Sequence, residues 1–184
     1  ITIAALKEAG ITEMVAASTG NVAISYSAYA SRAGMKLWAF VTSLVPAVKM
    51  REIALYGSQV IKITGSYDQC KQVASEFARQ RNLYQDMGAR TITSIEAMKT
   101  IAFEIAEQLT YVQGPGEDVP WKTPDWYVQA ISGGMGPIGV YKGFKEMQQM
   151  GLVKNIPAFA PIQAEGCAPM VTSFKKGLEK AEVV

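Results

Sequence analysis

An α/β fold of three layers, with helices on both faces of parallel sheets, is what this 184-residue sequence predicts. Three observations carry that reading. Short apolar runs alternate with longer helical patterns along the whole chain. A repeated strand–helix order brings successive strands parallel and sends the connecting helices onto the sheet faces. Nearly half the residues, 49%, are apolar and 18% are charged, enough apolar material for one or two domains with a real core.

The elements follow in order. Ile1 opens directly into a helix-like pattern, and "MVAA" at 14–17 is a short apolar run. Residues 21–33 form a small-residue helix that Gly34 stops. "KLWAFV" at 36–41 is a strand, and Pro46 suits the first position of a helix that runs to Gly57. "QVIKIT" at 59–64 alternates as a strand does, and Ser66 can cap a helix over 67–82 with apolar positions at Val73, Ala74, Phe77 and Ala78. A polar stretch at 85–93 reads as a boundary between two lobes, 1–92 and 93–184. "TSIE", Thr93 to Glu96, has the spacing of a capping box and opens a helix to about Leu109. A loop rich in Gly and Pro fills 110–124. "WYVQAI" at 126–131 is a strand, 138–150 a helix ended by Gly151, "AFAPIQA" at 158–164 a strand, and 167–180 a last helix.

Composition excludes several classes of function. A net charge of +2, without basic runs interleaved with aromatics, argues against a nucleic-acid surface. No apolar run approaches the ~20 residues of a membrane span. Histidine is absent, which removes serine–histidine and cysteine–histidine nucleophile systems and histidine-based metal sites. Two distant cysteines, Cys70 and Cys167, do not form a zinc pattern, and a reduced cytoplasmic setting is the expectation. Lysine, carboxylates, hydroxyls, backbone amides or a cofactor must therefore carry any chemistry.

In such folds ligands sit at the carboxyl ends of strands. Two strand-to-helix turns stand out there. In "SGGMGPIG" Gly133, Gly134 and Gly136 leave the backbone bare just before a helix, and Ser132 precedes them. Amides at a helix start have no internal partner, and the helix dipole adds positive character, so the turn suits a phosphate. The same glycines would also serve a tight turn that needs close packing. No lysine follows in the manner of a nucleoside-triphosphate loop, and the spacing is not that of a dinucleotide fingerprint. In "ASTGN" Ser18, Thr19, Gly20 and Asn21 open a helix with hydroxyls, a bare backbone and an amide. That set suits a carboxylate and a phenolic or hydroxyl oxygen, while helix capping alone would also account for it.

Taken together, "ASTGN", "AYASRAGMKLWAFV", "PAVKMREIALYGSQVIKITGSYDQ", "EAMKTIAFEI" and "SGGMGPIGVYKGF…IQAEGCAP" resemble, in this order, the threonine synthase branch of the tryptophan-synthase-β-like family. These are the fold-type-II enzymes of pyridoxal phosphate. The resemblance implies two lobes, the smaller (1–92) carrying the STGN turn and part of the larger (93–184) carrying the glycine-rich loop. It implies that Asn21 meets the 3′ oxygen of the cofactor ring and that Ser132, Gly133, Gly134, Met135 and Gly136 hold the cofactor phosphate. Ser18, Thr19 and Gly20 would take the substrate carboxylate, and Lys49 would approach the phosphate of an amino-acid substrate. The activity implied is conversion of O-phosphohomoserine and water to threonine and phosphate, by a homodimer in the cytoplasm.

The match also has departures. The family's Schiff-base lysine lies before the STGN turn and is expected upstream of Ile1, so this stretch reads as an inactive fragment with no catalytic lysine of its own. The family's N-S-x-N-P-x-R-x-E-G-Q-K-T segment reads "GARTITSIEAMKT", which puts Ser94 where the family has arginine and Gly88–Ala89 where it has Asn-Ser. Arg90 is a candidate substitute. Two other readings therefore stay open: a serine/threonine dehydratase or other replacement enzyme of the same family, and a non-catalytic binding or regulatory module.

Overall fold

Alternation along two strands sets the first half of the molecule. The computed structural model describes residues 1–18 and 20–181. In β1 (Glu13–Ala17) Met14 and Ala16 point to one side of the sheet and Val15 to the other; in β2 (Lys36–Thr42) Leu37, Ala39 and Val41 share the first side, and Trp38 and Phe40 the second. A strand that is apolar on both sides must be covered on both sides. The first side packs against α1 (Thr2–Glu8), α2 (Asn21–Ala33) and α3 (Ala47–Leu55), through Ile3, Leu6, Ala23, Ala30 and Ile53. The second packs against α4 (Tyr67–Gln80) through Cys70, Ala74 and Ala78, where the Phe77 ring lies 5.0 Å from Trp38 and 5.2 Å from Phe40. With β3 (Gln59–Ile63) and β4 (Tyr84–Asp86) the sheet runs β3-β2-β1-β4, all parallel. This is the expected three-layer arrangement, and all of it falls in a compact unit, Ile1–Thr93.

Local signals explain the element ends. Gly34 closes α2 in the left-handed region, at φ 71°, where a β-carbon is disfavoured. Ser66 and Gln69 cap α4 reciprocally: Ser66 Oγ accepts from the Gln69 amide at 3.2 Å, and Gln69 Oε1 accepts from the Ser66 amide at 2.8 Å. Pro46 stands just before α3 as its cap, not inside its first turn.

The second unit, Ser94–Val184, is built on two helices and a pair of strands. α5 (Ile92–Gln113) begins at the end of the first unit and runs for 22 residues. β5 (Trp126–Ala130) and β6 (Ala158–Ile162) pair parallel, joined by α6 (Met135–Gln149); a 3-10 turn (Glu165–Cys167) and α7 (Pro169–Lys175) follow. Ala102 and Ala106 of α5 meet Val140, Phe144 and Met147 of α6, and Tyr127 and Phe159 join that core from the strands. Trp126, Val128 and Ile162, on the opposite face of the strands, are exposed.

Within the polar stretch at 85–93, Tyr84–Asp86 adds an edge strand to β1 and a 3-10 turn, Gly88–Arg90, follows. Other sequence expectations are corrected. Thr93 does not cap α5: it lies within the helix, and its buried hydroxyl has no partner among the described residues. Thr91 closes the turn that precedes α5, its Oγ1 accepting from the Met87 amide at 2.9 Å. α6 starts at Met135 and not at residue 138, since proline is tolerated in a first helical turn. Val73 on α4 is exposed, and Cys70 takes the expected core position. The last helix stops at Lys175, and Gly177 beyond it takes φ 68°.

Candidate active site

Both turns singled out above lie where parallel strands end and helices begin. In the first unit, β1 delivers Ser18, whose amide donates to the Phe40 carbonyl at 3.1 Å and so fixes the turn against β2. Ser18 is buried, and its Oγ accepts from the amides of Gly20 at 3.2 Å and Ala23 at 3.3 Å. It therefore caps α2 from two residues before the cap position. A hydroxyl that accepts in this way keeps its own proton to donate. Thr19, the predicted neighbour, lies outside the described residues.

Gly20 is the cap residue of α2 and Asn21 its first residue. The Lys49 side chain, from the start of α3, lies across this turn. Its Nζ donates to Asn21 Oδ1 at 3.1 Å. A β-carbon at position 20 would stand 2.9 Å from Lys49 Nζ and 3.3 Å from its Cδ, so glycine is what allows the lysine to lie there. Ser18, Gly20, Asn21 and Lys49 thus form one cluster at the carboxyl end of β1.

Tyr67 joins that sheet end and was not picked out from the sequence. Its hydroxyl donates to the Ala17 carbonyl at 3.2 Å, one residue before Ser18. Burial raises the pKa of this phenol, with the Lys71 charge opposing, so it stays a protonated donor at neutral pH. The signal that could have found it is positional: Tyr67 opens α4 right after β3, at the same edge as the STGN turn.

In the second unit, β5 leads through Ile131 and Ser132 to Gly133, Gly134, Met135 and Gly136. Gly134, at φ 76°, turns the chain into α6. The first amide to return an intrahelical bond is that of Ile138, to the Gly134 carbonyl at 3.3 Å. The helix gives the Met135 and Gly136 amides no acceptor of its own, and Pro137 has no amide hydrogen. A β-carbon at Gly133 would meet nothing within 4 Å, whereas one at Gly136 would run into the Gln129 amide group, whose Oε1 accepts from Tyr127 at 2.8 Å. The glycines therefore differ in purpose: Gly136 serves packing, Gly134 serves the turn, and Gly133 opens onto free space. These residues fit a phosphate, with two amides at the start of a 15-residue helix and a bare α-carbon beside them.

Of the segment that departs from the family, Ser94 is buried in the first turns of α5, and Arg90 is exposed on the 3-10 turn. Among the described residues no cluster of three or more acidic, cysteine or histidine side chains could hold a metal, and no helix is long and apolar enough to cross a membrane.

The chain is 30% identical over 170 residues to threonine synthase of Methanocaldococcus jannaschii, covering 92% of this chain and 39% of that protein. It is 32% identical over 164 residues to threonine synthase of Mycobacterium bovis, covering 88% of this chain and 42% of that protein. The chain thus spans about two fifths of the length of the curated relatives it matches. Among solved structures, maize serine racemase superposes with a TM-score of 0.76 at 19% identity over 98% of this chain and 50% of its own, which shows the shared fold. The family model described as "Pyridoxal-phosphate dependent enzyme" matches residues 1–184 from end to end, and with the two strand-end turns in place this chain belongs to the pyridoxal-phosphate-dependent enzyme family.

Proposed function

We propose that this chain is the part of a threonine synthase that holds the cofactor and the substrate carboxylate, and that the whole protein converts O-phosphohomoserine and water to threonine and phosphate. The observation that carries this reading is 30–32% identity to threonine synthases along about nine tenths of the chain. The first unit corresponds to the smaller lobe and the second to part of the larger.

When bound, pyridoxal phosphate supplies an electron sink for negative charge at the substrate α-carbon. The chain's own residues bind and orient. The Met135 and Gly136 amides, with Gly133 and Gly134 beside them, hold the cofactor phosphate, and Ser132 sits at the same turn. The Asn21 amide meets the ring's 3′ oxygen. Ser18, whose oxygen already accepts two amides, donates its proton to the substrate carboxylate beside Gly20, and Thr19 is the third residue proposed to bind that carboxylate. Lys49 brings a positive charge to this cluster. The assembly that goes with this reading is a cytoplasmic homodimer, testable by light scattering and fractionation.

A second reading keeps the cofactor and changes the substrate. Ser94, buried where the threonine synthase pattern has arginine, favours a dehydratase or another replacement enzyme. One experiment separates the two. The full-length protein, loaded with pyridoxal phosphate, is given O-phosphohomoserine and, separately, L-threonine or L-serine. Phosphate release from the first supports threonine synthase; ammonia release from the others without it supports the dehydratase. A protein that takes up no cofactor, judged by its visible absorption, would overturn both.

A further inference from the structure

Lys49 does something at this site that its reading as a substrate-phosphate ligand does not include. The ammonium donates to Asn21 Oδ1 at 3.1 Å, over 28 residues of separation. An ammonium has only donors, so only the oxygen end of the asparagine amide can face it. That contact fixes which way the amide lies. It leaves Nδ2, which has no acceptor among the described residues, as the end presented to a ligand. The lysine stem lies over Gly20, where a β-carbon would stand 2.9 Å from Nζ and push the flexible end of the side chain aside. Two helices from different parts of the chain, α2 and α3, thus put a cation behind one side-chain amide.

We propose that Lys49 is a positioning residue for Asn21: it selects the orientation in which Nδ2 faces the cofactor's 3′ oxygen and, through its charge, strengthens that donor and favours the ionised form of the oxygen. The proposal rests on Asn21 being the partner of that oxygen. A cation behind the amide withdraws electron density from the N–H, and a nearby positive charge would lower the pKa of a phenolic oxygen.

The test uses the full-length protein without substrate. Pyridoxal phosphate affinity and the pH midpoint of the bound cofactor's visible band are measured for the parent and for Lys49→Met, Lys49→Arg, Gly20→Ala, Asn21→Ala and the Lys49→Met/Asn21→Ala double variant, with circular dichroism as a folding control. Lys49→Met is expected to raise the midpoint by about 1 unit and to weaken cofactor binding. Lys49→Arg, another donor-only cation, restores most of the parent value. Gly20→Ala, which displaces the ammonium without removing it, shifts the midpoint the same way as Lys49→Met. The double variant shifts the midpoint by less than the sum of the two single variants, because part of the lysine's effect runs through the asparagine.

An unchanged midpoint and cofactor affinity in Lys49→Met, with only a raised KM for a phosphorylated substrate, would make Lys49 a substrate ligand and overturn the proposal while leaving Asn21 in place. An unchanged band in Asn21→Ala would overturn the Asn21 reading itself, and this proposal with it. If Lys49→Met does not fold, Gly20→Ala and Lys49→Arg decide the matter by the same midpoint.

Discussion

Gly143 of α6 and Ala102 of α5 approach so closely that a β-carbon on the glycine would stand 2.8 Å from the Ala102 Cβ and 2.8 Å from the Lys99 carbonyl. One turn earlier, a β-carbon on Gly139 would collide with Met98 and lie 2.7 Å from the Ile95 carbonyl. The GxxxG spacing puts both glycines on one helix face, and that face is the seam with α5. Gly143→Ala therefore sets two effects against each other. Alanine favours a helix by about 1 kcal/mol over glycine, and overpacking a closed seam costs about 1–3 kcal/mol. The clash involves backbone on one side and a β-carbon on the other, neither of which can swing away, so the net change is a loss of stability. A urea melt of the full-length protein is the measurement. A gain in midpoint would show that the helices separate easily and that the seam does not hold the second unit together.

Ser18 is expected to matter for folding as well as for any ligand. Its oxygen is the acceptor for two amides, those of Gly20 and Ala23, in a buried turn. Ser18→Ala leaves both donors facing an apolar methyl and is expected to cost about 1–2 kcal/mol, as for loss of a helix cap. Denaturant unfolding of the apoprotein checks this without any cofactor. No change would mean that water replaces the hydroxyl at the start of α2.

Much of the architecture was legible in the sequence for simple reasons. β1 and β2 are apolar on both faces, which only a sheet covered on both faces can satisfy, and Gly34 and Ser66 mark helix ends by local chemistry. The misses have physical causes too. Thr93 and Glu96 have capping-box spacing, but spacing does not say which threonine ends the preceding turn; Thr91 does, through Met87. Tyr84–Asp86 is three residues long and partly polar, so its pairing to β1 comes from the sheet edge and not from its own pattern. The contacts at the site were hidden for a further reason. Lys49 on Asn21, and Tyr67 on Ala17, join residues 28 and 50 positions apart, and no local pattern carries such a pairing.

An ion network on the helices predicts a pH effect. Glu96 accepts from Lys142 and from Lys99 at 2.5 Å, and Lys99 also reaches Glu146 at 2.9 Å, which ties α5 to α6. The hydrogen bonds from Lys142 and Lys99 hold the Glu96 carboxyl below its usual pKa. A depressed folded pKa stabilises above the unfolded value, about 4.3, and that contribution is lost as pH falls through the folded value. Glu96→Gln should cost at most about 1 kcal/mol at pH 7, given the partly exposed setting. The gap between variant and parent should narrow as pH drops below about 4.3, where the parent's carboxylate begins to protonate in the unfolded chain. Urea midpoints at pH 7 and pH 3 measure this, and a gap that stays constant would remove Glu96 from the stabilising network.

The glycine-rich turn allows a paired test in which fold and ligand separate. At Gly133 the backbone is outside the left-handed region and a β-carbon meets nothing, so Gly133→Val should leave apoprotein stability within about 0.5 kcal/mol. Its side chain would nevertheless stand where a phosphate oxygen approaches the amides, and pyridoxal phosphate affinity should fall by about tenfold or more. Gly134 sits at φ 76°, where a β-branched residue is strained, so Gly134→Val should lose about 1–2 kcal/mol of stability as well as cofactor affinity. Fluorescence titration with pyridoxal phosphate, alongside urea melts of the apoproteins, resolves the two effects. If Gly133→Val bound the cofactor as tightly as the parent, the open side of this turn would not be where the phosphate sits, and the loss in Gly134→Val would be a matter of folding alone.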